Sequence, residues 1–203
     1  SLGRSLADLP NKVTGKTVAF FEPALDYIVV KVPRWDLERF RGIDIRIGSQ
    51  MKSVGEVMAI GRNFEEALQK SLRMIGTGMH GLVQNRLEFD DIEEELKNPT
   101  HRRIFAVGEA LKRGISIDEI HEMTKIDRWF LSGLKRIVDT EKTLTGSKGN
   151  ISEELMRESK RFGFSDFQIG KATGIHMDEI RKMRKDLGVL PVIKQIDTLA
   201  AEY

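Results

Sequence analysis

One segment of the chain occurs twice, 49 residues apart. Gly114-Ile115-Ser116 matches Gly163-Phe164-Ser165, and Ile120, Met123, Thr124 and Ile126 match Ile169, Ala172, Thr173 and Ile175. Leu131 and Leu134 match Ile180 and Met183. Each copy carries the same physical instructions. A glycine ends one helix where the backbone needs a positive φ. A serine then caps the next helix, and Glu119 or Gln168 three residues on completes a capping box. A short helix, a turn and a second apolar-striped helix follow. Two such units predict two stacked helical subdomains, too few for a solenoid. The stretch TLTGSKGN, Thr143 to Asn150, reads as a flexible joint.

Ahead of the repeats the period changes. Lys16 to Phe21, Leu25 to Val32 and Val54 to Ile60 are rich in β-branched, aromatic and aliphatic residues and predict three strands. Pro23 and Pro33 interrupt or end the first two. LDYIVVKV is apolar on both faces apart from Asp26 and Lys31, which predicts a strand covered on both sides. Asn63 and Glu66 have capping-box spacing. Phe64, Ala67, Leu68, Ser71, Leu72 and Ile75 form one stripe of an amphipathic helix. Gly76, Gly78 and Gly81 end it, and the predicted boundary lies there. DIEEELKN is a further helix stopping at Pro99, with Glu93, Glu94 and Glu95 on an exposed face. Another helix opens near Thr100 and carries Ile104, Phe105, Val107, Ala110 and Leu111. Leu2, Leu6 and Leu9 suggest a helix entered partway along, and the chain reads as a piece of a longer protein. The expected fold is mainly α. An all-helical domain (81–203) of two related helix-turn-helix-like subdomains follows a small α/β segment (1–80).

Composition excludes several functions. Thirty-three basic and 31 acidic residues leave a net charge of +2, which is no footprint for nucleic acid. The absence of cysteine removes disulfides, thiolate chemistry and cysteine-ligated metals. No apolar run approaches the roughly 18 residues of a membrane span. Gly55 and Gly61 are spaced wrongly for a phosphate loop, and no dinucleotide fingerprint exists. They read as a strand-to-helix turn packed closely. His80, His101, His121 and His176 are scattered surface histidines. His121-Glu122 begins a zinc motif, but Lys125 occupies the second histidine position.

The second repeat has the order of a DNA-binding helix-turn-helix, with Arg181, Lys182, Arg184 and Lys185 on its last helix. Asp178, Glu179 and Asp186 offset those charges. The first copy places Trp129 and Phe130 where base-reading side chains would project. Those two aromatics are candidates for an association surface, with Trp129 read rather as a core anchor between the subdomains. Glu56 stands alone as a carboxylate in an apolar strand, costly unless it meets water or a partner such as Lys52 or Arg62.

FEPALDYIVVKVPRWDLERF, MKSVGEVMAIGR, KIDRWFL and KQIDTLAAEY resemble the large, synthetase subunits of the carbamoyl phosphate synthetase family, in family order. The resemblance implies two ATP-grasp halves. The first makes carboxyphosphate from bicarbonate, and ammonia converts it to carbamate. The second phosphorylates carbamate. A helical oligomerisation domain lies between them. Residues 1–80 would then close the first ATP-grasp domain, and 81–203 would form the connecting domain. ATP and magnesium (or manganese) belong to the parent, and their ligands lie upstream of Ser1. The fragment is expected to be inactive, with no catalytic, cofactor or metal residues of its own. The implied partners are further copies and the parent's glutaminase subunit or domain, with no nucleic acid and no membrane. The implied location is cytoplasmic, or mitochondrial for a eukaryotic source, in arginine or pyrimidine biosynthesis. MKSVGEVM resembles a stretch lining the family's carbamate tunnel, which would put Met51 and Glu56 at its wall.

Overall fold

The computed structural model describes residues 3–22, 24–39 and 42–197. Two strands, β1 (Ile28–Trp35) and β2 (Ser53–Gly61), pair antiparallel, with Val30 opposite Ala59 and Val32 opposite Val57. Eight α-helices follow among the described residues: α1 (Phe64–Met74), α2 (Ile92–Lys97), α3 (Arg103–Lys112), α4 (Ile117–Thr124), α5 (Arg128–Gly146), α6 (Glu153–Arg161), α7 (Asp166–Thr173) and α8 (Met177–Asp186). The fold is mainly helical, as the sequence predicts.

The repeat is visible in the helix ends. After α3, Gly114 takes φ +87°, and after α6, Gly163 takes φ +81°. In each turn two amides fold back on the helix end. Ile115 donates to Ala110 and Gly114 to Leu111; Phe164 donates to Ser159 and Gly163 to Lys160. This is the Schellman arrangement, which satisfies carbonyls the helix leaves open. Ser116 and Ser165 then cap α4 and α7, and both capping boxes are complete. Ile120, Leu131 and Leu134 of the first unit and Ile169 and Ile180 of the second are buried in one continuous core. That core also takes Leu68 and Leu72 of α1, with Val30 and Val32 of β1 packed against it.

Several expectations fail for local reasons. Lys16–Phe21 forms no strand; a single bridge joins Pro10 to Val18 around a turn held by Asn11. Pro10 has no amide to extend the ladder. Leu6–Asp8 is one 3-10 turn with no buried residue, so the leucine spacing there marks no α-helix, and Leu2 and Pro23 lie outside the described residues. β1 is covered on one face only, because the helical core packs on the side of Val30 and Val32 alone; Val29 and Lys31 face solvent. Pro33 sits inside β1, as an edge strand permits. Thr143–Gly146 is the last turn of α5, so only 147–150 of the expected joint lie outside a helix.

The two glycine turns differ in what surrounds them. A Cβ on Gly114 would meet nothing within 4 Å, whereas one on Gly163 would lie 2.9 Å from Glu66 Cα and 3.1 Å from Glu66 O. Gly114→Ala is expected to cost about 1 kcal/mol, the left-handed penalty alone. Gly163→Ala is expected to cost about 3 kcal/mol, because α1 must also move. Urea unfolding of both variants measures the difference.

Candidate functional site

The densest polar contact joins α1 to the turn after α6. A helix leaves its last carbonyls without intrahelical partners. Three consecutive ones here are taken by side chains from α1 and its cap. Asn63 Nδ2 donates to Arg161 O at 3.1 Å, Gln69 Nε2 to Phe162 O at 3.0 Å, and Arg73 Nη1 to Gly163 O at 2.7 Å. Gln69 is fully buried, and its Oε1 accepts from Leu82 N at 3.2 Å and from Gln168 Nε2 at 3.0 Å. Gln168, also fully buried, closes the α7 capping box with its Oε1, which Arg73 reaches at 3.3 Å. Beside this cluster Glu65 is buried and paired with Arg136 of α5.

Sequence reasoning missed Gln69, Glu65 and Arg73, because buried polar residues on an amphipathic helix look like its solvent face. It assigned Gln168 to a cap only. The cap of α1 is nearly the predicted one: Asn63 accepts from Glu66 N, while the reciprocal bond to the Glu66 carboxylate comes from Arg62 N. A Cβ on Gly61 would lie 2.9 Å from Ala67 N, so the glycine turn before α1 is a close packing contact.

Glu56 lies on the exposed face of the sheet, paired with Lys31 at 2.9 Å. Neither expected partner reaches it. Lys52 Nζ donates to the carbonyls of Asp44 and Arg46, and Arg62 faces Asp26 at 3.9 Å. Met51 is 91% exposed on the rim of an open hollow of about 400 Å³ bounded by Asp36, Leu37, Asp44 and Lys52. The structure therefore places Met51 and Glu56 on accessible surface.

Trp129 is no core anchor between the repeats. It is 55% exposed, and with Phe64 and Phe130 forms a half-exposed aromatic cluster with ring centroids 5.0 to 5.5 Å apart. Arg184 is not part of a basic edge, because its Nε donates to both Asp166 oxygens at 2.9 and 3.1 Å. Arg181, Lys182 and Lys185 are exposed among the equally exposed Asp178, Glu179 and Asp186. The histidines have local contacts: His80 stacks on Phe167, His121 meets Ile126 O at 2.7 Å, and His176 caps α8. Glu93 and Glu94 are exposed, with Ile92 and Leu96 buried behind them. Among the described residues no group of three or more acidic or histidine side chains could hold a metal ion, and no helix is long and apolar enough to cross a membrane.

The model of the carbamoyl-phosphate synthetase large-chain oligomerisation domain matches residues 56–188, from within β2 to just beyond α8. The chain belongs to the carbamoyl-phosphate synthetase large-chain family. It is 54% identical over its whole length to the carbamoyl phosphate synthase arginine-specific large chain of Eremothecium gossypii, of which it covers 18%. It is 48% identical to the mitochondrial carbamoyl-phosphate synthase [ammonia] of Rattus norvegicus, covering 14% of that protein. It is 49% identical to multifunctional protein pyr1-3 of Dictyostelium discoideum, covering 9%. Arginine-specific and mitochondrial proteins thus stand among the relatives of this family member. The chain spans less than a fifth of each. The buried α1–α6 junction lies wholly within the matched domain.

Asp166 at the start of α7, held by Lys160 of α6 and Arg184 of α8, gives the second unit a pH dependence. Burial works to raise its carboxyl pKa, but hydrogen bonds from Lys160 and Arg184 outweigh this and hold the group below the usual carboxylate range. A depressed folded pKa contributes stability that is complete above the unfolded value of about 4 and is lost as pH falls through the folded value. Asp166→Asn is expected to lower stability at pH 7 by about 2 kcal/mol. It should also flatten the loss of stability on acidification through that window. Urea midpoints of both proteins across acid pH check this; parallel pH profiles would contradict it.

Proposed function

We propose that this chain is the connecting segment of a carbamoyl phosphate synthetase large chain. The helical domain through which copies associate spans the expected 81–203 with α1 held in the same core, and the chain ahead of α1 closes the preceding ATP-grasp half. Catalysis, with ATP and magnesium or manganese, belongs to the rest of the parent, as does contact with the glutaminase that supplies ammonia. The observation that carries this reading is the oligomerisation-domain match over residues 56–188, supported by whole-chain identity of about half to the relatives.

The aromatic cluster at the N-terminal end of α5 is the association surface the geometry favours. Large aromatics half open to solvent suit interface anchors. The sister repeat has Asp178 and Glu179 at the positions of Trp129 and Phe130, so the helix pair itself does not require aromatics there. A closed two-fold dimer is the expected assembly. Sedimentation velocity should show concentration-dependent association of this chain at micromolar levels, weakened at least about tenfold by Trp129→Ala, a loss of interface-anchor size. A strict monomer at high micromolar concentration would overturn the association.

Glu56 and Met51 are proposed to face the passage carrying carbamate between the two ATP sites of the parent. An anionic intermediate needs a wet, polar route, and an exposed Lys31–Glu56 pair, with Met51 on the rim of an open hollow, suits one. In the full-length enzyme, Glu56→Ala should leave bicarbonate-dependent ATP hydrolysis and ATP synthesis from carbamoyl phosphate largely intact while coupled synthesis falls. Equal loss of all three, together with lower thermal stability, would make Glu56 structural.

A further inference from the structure

We infer that α1 is a rigid coupler that locks the two-stranded sheet, with Glu56 on it, to the second helix-turn-helix unit through the turn after α6. The inference rests on reading the chain as a connector between two halves and states how position passes through it.

α1 has two working faces. On one, Ala67 packs against Gly61, Lys70 Nζ donates to Ile60 O at 3.2 Å, and Leu68 and Leu72 share a core with Val30 and Val32 of β1. On the other, Asn63, Gln69 and Arg73 take three successive carbonyls of the α6 end. Gln69 and Gln168 bind each other with no solvent exposure, so sliding α1 would bury unpaired amide groups. The contact is also tight against displacement: the Gly163 Cα faces the α1 backbone too closely to admit a Cβ.

The repeat supplies an internal comparison. The same Schellman turn after α3, at Gly114, has nothing within 4 Å of where a Cβ would stand. The helix-turn-helix unit therefore folds without a helix docked on this turn. Docking of α1 on the glycine turn is made in one copy only; the first copy meets α1 elsewhere, at α5, through Glu65 with Arg136 and Phe64 with Trp129 and Phe130.

The two tryptophans allow a direct test. Trp35 lies in β1 and Trp129 in α5. In a Trp129→Phe background, Trp35 fluorescence reports the sheet and circular dichroism at 222 nm reports the helices. With the coupler intact, the two urea midpoints coincide. Gln69→Ala in this background should split them, the sheet melting first by at least ~0.5 M urea, a gap resolvable with ordinary unfolding slopes. Ile137→Val, a core change in α5 away from the junction, should lower both midpoints together. Asn63→Asp keeps the oxygen that caps α1 and removes only the outermost bond, the one to Arg161 O, and should give a smaller split in the same direction. It carries the test if Gln69→Ala does not fold. Separate midpoints before any junction substitution, or coincident midpoints after it, would overturn the coupler. Neither outcome depends on association, so the coupler can fail while the connector reading stands, and the reverse.

Discussion

A helix that ends inside a protein must find partners for its last carbonyls, and the way α6 meets that demand sets the architecture of this chain. The Schellman turn at Gly163 satisfies Ser159 and Lys160, leaving Arg161, Phe162 and Gly163 open. All three are satisfied by side chains from α1 and its cap, about 90 to 100 residues earlier in the sequence. An arginine at that end also complements the negative pole of the helix dipole. One amphipathic helix thereby becomes common property of the sheet and the helical domain. A two-stranded sheet alone is marginal in water; here its inner face rests on a helix that the core already holds.

The repeat explains why the helical part closes on itself. Each unit ends a helix with a left-handed glycine and starts the next with a serine capping box. The buried positions fall in register, so Ile120 and Leu131 serve one unit as Ile169 and Ile180 serve the other. What the units do not share lies outside that register. Trp129 and Phe130 face outward where the second unit has acids, and the Gly163 turn receives α1 where the Gly114 turn is open. Duplication accounts for the fold, and the departures from it mark where each unit meets something else.

Most local signals are legible in the sequence, and cooperative ones are not. Glycine and serine chemistry is decided within a few residues, so both capping boxes and both Schellman turns were legible, as was the α1 stripe of Ala67, Leu68 and Leu72. The strand expected at Lys16–Phe21 failed because β propensity acts only where a partner strand exists. The double coverage expected for LDYIVVKV failed for a related reason, since hydrophobicity does not say how many layers are present. Trp129 was read as core on size alone. Gln69 and Arg73 were invisible because a polar residue on a helix is ordinarily solvated. Only the position of the α6 end, distant in sequence, turns them into a junction. Of the site residues, Glu56 was singled out as a lone carboxylate in an apolar strand; it lies on the exposed face, and its partner is Lys31 on the neighbouring strand, which sequence spacing does not reveal. The family strings were legible at once; the geometry that gives them work was not.

The central claim is that α1 is part of the helical core although it packs on the sheet. Native-state hydrogen exchange tests it most directly. The amides of Ser71 and Leu72 in α1 should exchange with the same opening free energy as those of Ile169 in α7 and Ile137 in α5, the signature of one cooperative unit. If the α1 amides instead open at a clearly lower free energy, together with those of β2, then α1 belongs to the sheet and the α6 end does not hold the chain together.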